Sequence, residues 1–302
     1  MRIGIVGLGS IAKKAYLPVL TQRKDVDLIL CTRNDNTLDE LKAQYQLQES
    51  THTNEELIAL KPDVIFVSAA TEAHFELAKK VIEAKISLYL DKPISMEMSE
   101  VKILSDLAQE NQTIFMTGFN RRFVPIVKEV HDLGVPDIVI YQKNRNMKSD
   151  TIKRFVMEDF VHVIDTTRFL LQSEVKEIRV QPKLENGLLQ HVIVHLITDV
   201  NSGLCIMNYH NGCTEEIIDV MHPYRKSVIK NLSELEWYKK DEKHVALPLD
   251  WQATLKKRGF EDLIDQFLKG LENKEMPISI DDAYRTHEIC EWVRSEIEKT
   301  LF

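Results

Sequence analysis

The sequence predicts an α/β Rossmann dinucleotide-binding domain over residues 1–122. An α+β substrate and dimerisation domain with a large, mostly antiparallel open sheet is predicted to follow over 123–302, with packing of its final helices back on the first domain left open. Three observations carry this. The chain opens with a short apolar run, Arg2–Val6, that enters a Gly7-x-Gly9-x-x-Ala12 turn and then a helical stretch, Ser10–Leu20. As far as Arg122, short apolar runs alternate with helical patterns, as in βαβ units with parallel strands. Beyond Phe123 the β-rich segments lengthen and follow one another directly, which suits antiparallel pairing.

Bulk composition excludes several classes. A chain of 302 residues suits two domains, and 44% hydrophobic with 28% charged residues is ordinary for a globular protein. A formal charge of −8 argues against a nucleic-acid partner, since phosphate binding needs a concentrated basic surface. A small anionic ligand in a local basic pocket stays compatible. No apolar run approaches the roughly 18 residues that span a bilayer, and Ile3–Val6 is too short for a leader's apolar core. A cytoplasmic protein with no membrane partner is expected. Cys31, Cys205, Cys213 and Cys290 are scattered without a C-x-x-C, so free thiols are expected rather than disulfides or zinc. The ten histidines are dispersed and form no H-E-x-x-H. No metal is expected.

The opening turn has a physical logic. Gly7 permits a tight turn, Gly9 lets a diphosphate approach the backbone, and Ala12 lets helix and strand pack closely. Ser10 and Ile11 begin the helix, whose free N–H groups and positive dipole end suit phosphate. Further strands are expected at Val26–Cys31, Val64–Ser68, Ser87–Leu90 and Thr113–Thr117. Helices are expected at Asn36–Tyr45, Ala73–Ala84 and Ser99–Gln109, and Asn54 is read as capping a short helix that Pro62 stops.

The end of the second strand selects the cofactor. An NAD-type site places an acid there for the ribose hydroxyls, whereas this chain has Thr32-Arg33-Asn34. A hydroxyl and a guanidinium suit a 2′-phosphate that a carboxylate would repel, so NADP(H) is favoured over NAD(H). Ligands of such folds sit at the carboxyl edge of the sheet. The loops there hold Ala69, Thr71 and His74, then Asp91-Lys92-Pro93, then Asn120, Arg121 and Arg122.

In the second half, Pro125–Leu133 reads as a helix. Strand-like segments follow at Asp137–Asn144, Glu177–Pro182, His191–Asp199, Leu204–Asn211 and near Ser227–Tyr238. Lys143 and Arg145 end the first of these. A helix from Gly259 carries Phe260, Leu263, Ile264, Phe267, Leu268 and Leu271 on one stripe, and a last helix runs from about Asp281 to Lys299. Glu158–Leu171 is a further helix with an apolar side of Phe160, Val163, Ile164, Thr167 and Leu171. Glu158, His162 and Asp165 share the opposite stripe, which on the residues alone reads as a solvated face.

The glycine turn, Thr71-x-x-His74, Asp91-Lys92-Pro93 and Gly118-Phe-Asn-Arg-Arg-Phe123 resemble the glucose–fructose oxidoreductase/inositol dehydrogenase (Gfo/Idh/MocA) family. Asp91 stands where most members carry glutamate. Lys13-Lys-Ala-Tyr-Leu-Pro18, Asp159–Asp165 and Trp251–Phe260 resemble the MviM-like bacterial subgroup more particularly. The resemblance implies hydride transfer between nicotinamide and a carbinol or carbonyl carbon of a sugar, polyol or related small molecule. His162 matches the family's acid/base histidine, and Asp165 a common acid after it. Glu158 stands at the family's aspartate, with Asp159 adjacent as a possible substitute. Lys92 is then the charge stabiliser, and Ala69, Thr71, His74, Asp91, Lys92 and Asn120 join Gly7, Gly9, Ser10, Ile11, Ala12, Thr32, Arg33 and Asn34 on the cofactor side. Lys92, Asn120, Arg121, Arg122, Lys143 and His162 are the substrate-side candidates, with Arg122 also open to a structural reading. A homo-oligomer, dimer or tetramer, through the C-terminal sheet is implied. Two other readings stay open, one using tightly held NAD(P) for transient oxidation and one a non-catalytic NADP sensor.

Overall fold

The computed structural model describes residues 1–301 and divides into two compact units. One comprises Met1–Gly118 with Phe260–Arg285, the other Phe119–Gly259 with the chain from Thr286 onward.

In the first unit, strands β1 (Arg2–Val6), β2 (Asp27–Cys31), β3 (Ser50–Thr51), β4 (Val64–Val67), β5 (Ser87–Leu90) and β6 (Phe115–Thr117) make one sheet. Its order is β3-β2-β1-β4-β5-β6, with every pair parallel. This is the doubly wound dinucleotide-binding order, which reverses between β1 and β4 and opens a crevice at their carboxyl ends. Val6 and Val67 pair at that edge. Strands β1, β4 and β5 are almost wholly buried, which is why they read as unbroken apolar runs. The helix Phe260–Asn273 packs its stripe here: Phe267 meets Phe66 and Tyr89 edge-on at 5.5 and 5.2 Å, and Phe260 meets Tyr16 at 5.9 Å.

Three local features differ from expectation. The helix after the glycine turn carries a π-helical stretch, Ala12–Tyr16, before the α-helical Leu17–Leu20. A π turn takes an extra residue and so escapes a 3.6-residue periodicity. The short helix Asn54–Ala59 is capped by Thr53, not Asn54: Thr53 accepts from Glu56 N while Glu56 accepts from the Thr53 N–H. This capping box explains the start better than an asparagine one residue on. The two-residue β3 is too short to show alternation.

The second unit holds β7 (Ile138–Asn146), β8 (Glu177–Glu185), β9 (Leu188–Ile197), β10 (Ser202–Asn211), β11 (Glu215–His222), β12 (Arg225–Lys230), β13 (Glu234–Lys239) and β14 (Glu242–Ala246). They form one sheet in the order β14-β13-β12-β11-β7-β10-β9-β8. All pairs are antiparallel except β7 with β10. The run expected near Ser227–Tyr238 is the hairpin β12–β13. Strand β11 is hidden in the sequence because Glu215, Glu216 and Asp219 interrupt its apolar pattern, and β14 because it is mostly exposed. The helix Val161–Leu171 lies on β7 and β10. Gly203 makes the approach possible, since a Cβ there would sit 2.5 Å from Thr167 Cγ2.

Candidate cofactor and catalytic site

The glycine turn is built for close approach. Gly7 has φ +87°, and a Cβ on it would lie 2.3 Å from the Ala69 nitrogen. Only glycine fits. Gly9 has nothing within 4 Å of its ideal Cβ, so the space before it is open. Ser68 Oγ donates to Gly7 O at 2.9 Å and ties the turn to the end of β4. Ser10 and Ile11 begin the helix, the first exposed and the second half-buried.

Beside this turn lies a cavity of about 420 Å³, lined among others by Gly7, Thr32, Arg33, His52, Asn54 and Ala69. It occupies the carboxyl ends of β1 and β2, where the adenosine half of a dinucleotide sits in this sheet order. Arg33 and Lys80 supply positive charge there, Lys80 pairing with Glu55 at 2.6 Å. Asn54 is buried, and neither atom of its amide has a partner. A buried amide in that state costs free energy that a bound polar edge would recover. The open glycine cradle, the cationic rim and this orphaned amide together fit a dinucleotide. Asn34 is occupied elsewhere, because its side chain accepts from Thr37 N at 3.0 Å and caps the helix Asp35–Tyr45. Thr32 Oγ1 accepts from Asn34 N at 3.3 Å.

The next two loops are joined to each other. Buried His74 sets Nδ1 2.7 Å from the Pro93 carbonyl and Nε2 3.1 Å from the Ala69 carbonyl. It therefore ties the cavity wall to the loop carrying Lys92. Thr71 opens a short 3₁₀ turn, Thr71–Ala73, just before it. The Lys92–Pro93 peptide is cis. Asp91 accepts from Tyr16 Oη at 2.6 Å, and Tyr89 Oη lies 3.3 Å from Tyr16 Oη. Burial first, and then the Asp91 charge, push both phenols well above the ordinary tyrosine range. Gly118 leaves room for this chain, since a Cβ there would fall 2.5 Å from Tyr89 Oη.

In the second unit, His162 rides on a helix that begins as a π-helical segment, Phe155–Phe160, and continues as the α-helix Val161–Leu171. The stripe expected to face solvent does not. His162 is 8% exposed and Asp165 0%. Asp165 accepts from Arg122 Nη2 at 2.6 Å and Nε at 2.9 Å, and from Thr286 Oγ1 at 3.1 Å. The helix is packed on both sides, and its acid is matched by a buried arginine. Arg121 forms a second fork, with Nη2 2.7 Å and Nε 3.0 Å from the Glu216 oxygens, and Tyr141 Oη donates to the same carboxylate at 2.9 Å. Burial alone would raise the Glu216 carboxyl, but Arg121 and Lys143 outweigh it and hold it below the usual range. Asn120 Nδ2 donates to the Arg258 carbonyl at 2.9 Å. All three side chains of Asn120-Arg121-Arg122 thus serve bonds within this unit.

Asp159 is similarly engaged. Lys143 Nζ donates to its carbonyl at 3.0 Å and to its carboxylate, and Tyr209 Oη donates at 3.0 Å. Arg145 adds contacts at 3.2 and 3.3 Å. Burial opposes ionisation of Asp159, yet Lys143 and Arg145 keep its carboxyl far below the ordinary range. Lys143 is drawn down to about 7 by burial and then by Arg121, with Asp159 and Glu216 pulling the other way. Glu158, one residue earlier, keeps a side chain 27% exposed and pairs with Arg154 at 3.1 Å. Glu216, Tyr209, Tyr141 and Thr286 have no signal in the sequence, because each meets its partner only through the fold.

The sheet order, the glycine cradle and the cavity define a dinucleotide-binding domain. Residues 1–119 match the GFO_IDH_MocA model, described as an oxidoreductase family with an NAD-binding Rossmann fold. The chain is 27% identical over 297 residues to YceM of Salmonella typhimurium, an oxidoreductase by name, covering 92% of this chain and 91% of that one. The crystal structure of a dehydrogenase (MviM) from Clostridium difficile superposes with a TM-score of 0.93 at 27% identity, covering 98% of this chain and 99% of the other. Myo-inositol 2-dehydrogenase of Thermotoga maritima is 23% identical over 227 residues, 70% of this chain and 66% of its own. Residues 1–119 thus carry the Rossmann domain of the Gfo/Idh/MocA model, and over nearly its whole length the chain is similar to oxidoreductases and dehydrogenases. Among the described residues there is no helix long and apolar enough to cross a membrane, and no cluster able to hold a metal.

Proposed function

We propose that this oxidoreductase moves a hydride between NADP(H) and a carbinol or carbonyl carbon of a sugar, polyol or related small molecule. The observation that carries the cofactor choice is Arg33 on the cavity wall, with Thr32 in place of an acid at the end of β2. A guanidinium suits a 2′-phosphate through charge-assisted bonds. The dehydrogenase names among the relatives support the substrate class.

When bound, the nicotinamide supplies the hydride chemistry. The chain's own groups handle proton and charge. His162 takes the hydroxyl proton in oxidation and returns it in reduction, work for which an imidazole is suited near neutral pH. Lys92 stabilises negative charge developing on the same oxygen. Glu158 orients the imidazole or holds a neighbouring hydroxyl. On this reading His74 is what keeps the Lys92 loop against the cofactor side, through the Pro93 and Ala69 carbonyls.

A homo-oligomer through the eight-stranded sheet belongs to the same reading. The face turned away from the helix Val161–Leu171 bears the half-buried Ile140, Ile193, Ile197, Leu204 and Ile206, an apolar patch suited to a second copy. Sedimentation at micromolar concentration checks this, with a monomer contradicting it. The function itself is tested by thermal shift with NADP(H) over sugars, polyols, sugar phosphates and sugar acids, followed by NADPH formation with each hit. Substrate-dependent NADPH formation is expected. Stabilising ligands that never change the cofactor's redox state would contradict it.

A further inference from the structure

We propose that Lys143 and Asp159 form a strut that fixes the π-helical segment leading to His162, so that Asp159 is a positioning residue. This rests on the reading of His162 as the acid/base, but its geometry stands apart from any assay.

Lys143 lies in β7 in the middle of the sheet, paired with Met207 of β10 and Glu216 of β11, and is fully buried. A buried ammonium is retained only where charge and hydrogen bonds compensate for lost water. Lys143 spends its bonds on one residue, reaching both the backbone carbonyl and the carboxylate of Asp159. That residue sits one position before the π-helical segment ends and three before His162. Helices change pitch where a side chain or insertion competes with the backbone ladder, and a lysine bonded to the carbonyl at the junction holds the change in place.

The carboxylate is fixed from three further directions. Arg145 from β7, Tyr209 from β10 and, at 3.7 Å, Lys148 all face it. The charged groups around Lys143 are Arg121, Glu216, Arg145 and Asp159. A carboxylate held by this many donors is stabilised in its ionised form and poorly placed to accept a further proton. Glu158 points its partly exposed carboxylate elsewhere, and its pairing with Arg154 is a helical i,i+4 contact at the surface. Asp159 therefore fastens the turn to the sheet, whereas the ion pair of Glu158 with Arg154 stays within its own helix.

The test uses the full-length protein and two readouts independent of substrate. The first is amide hydrogen exchange in the segment spanning residues 155–164. The second is the NMR titration of the His162 ring. Lys143→Met and Asp159→Asn are expected to speed exchange in that segment by about tenfold or more, while segments of the first unit keep their protection. The His162 ring signal should shift or split. Lys143→Arg should restore much of the protection, and Glu158→Gln should leave exchange unchanged. Should the two strut variants not fold, Tyr209→Phe removes a single donor to Asp159 and should give a smaller effect in the same direction. Unchanged exchange and an unchanged His162 signal in the folded variants would overturn the strut. An inert His162→Ala in turnover would instead overturn the catalytic reading and leave this result standing.

Discussion

Arg122 and Asp165 meet in a two-bond fork, with Nη2 2.6 Å and Nε 2.9 Å from the carboxylate oxygens. Their side chains are 7% and 0% exposed, so neither charge is shared with bulk water. Thr286 completes the acid's shell at 3.1 Å. Breaking such a pair leaves a buried charge alone, which costs about 3–5 kcal/mol. Arg122→Met and Asp165→Asn should each lower the unfolding free energy by roughly that amount, measured in urea. The paired replacement Arg122→Met with Asp165→Leu should recover much of the loss. Equal stability of the single variants and the parent would show that the fork contributes little.

The two glycines of the opening turn should behave oppositely. Gly7 has a positive φ and Ala69 against its missing Cβ, whereas Gly9 faces open space. Gly7→Ala should destabilise the fold by more than about 1 kcal/mol through backbone strain and the clash. Gly9→Val should leave the melting temperature near that of the parent yet weaken dinucleotide binding by about tenfold or more, a change of about 1.4 kcal/mol. Calorimetric titration with NADP(H) reads the second effect. Full affinity in Gly9→Val would remove the glycine cradle from the binding site.

Removing the Arg33 guanidinium should discriminate between cofactors. A hydrogen bond to a charged group is worth about 1.5–3 kcal/mol, so Arg33→Ala should weaken NADP(H) by about tenfold to a hundredfold. NAD(H) binding should change little. Equal losses for the two would place Arg33 outside 2′-phosphate recognition.

Acid should act through the buried carboxylates of the second unit. Burial works against ionisation of Asp159 and Glu216, but Lys143 with Arg145, and Arg121 with Lys143, hold the folded-state values below the unfolded ones. Groups of this kind contribute stability that is fully present above the unfolded value near 4 and is lost as pH falls towards the folded values. Denaturant unfolding free energies should accordingly decline from about pH 5 down to about pH 3. A flat profile over that interval would contradict the ionised network.

Much of the first unit was legible because its signals are local. A strand, a glycine turn and a helix are encoded within a dozen neighbouring residues, and fully buried parallel strands leave apolar runs. Segments with mixed demands were less legible. Strand β11 carries Glu216, whose charge makes sense only beside Arg121, 95 positions away in the chain. The same holds for Asp165, which reads as a surface acid on its helix until Arg122, 43 residues earlier, is folded against it. The two π-helical stretches, one following the glycine turn and one preceding His162, evade a 3.6-residue pattern by construction. Family resemblance pointed to Lys92 and His162, whereas the bonds holding their loop and helix, from His74 and from Lys143, emerge only in three dimensions.

Hydride transfer with His162 as acid/base and Lys92 as charge stabiliser is best probed by single-turnover NADPH formation. Enzyme loaded with NADP⁺ and a sugar or polyol from the screen is compared with its Lys92→Ala and His162→Ala variants. Rates about two to four orders of magnitude lower are expected in each variant, with cofactor still bound. Parent-like rates in either variant would contradict that mechanism.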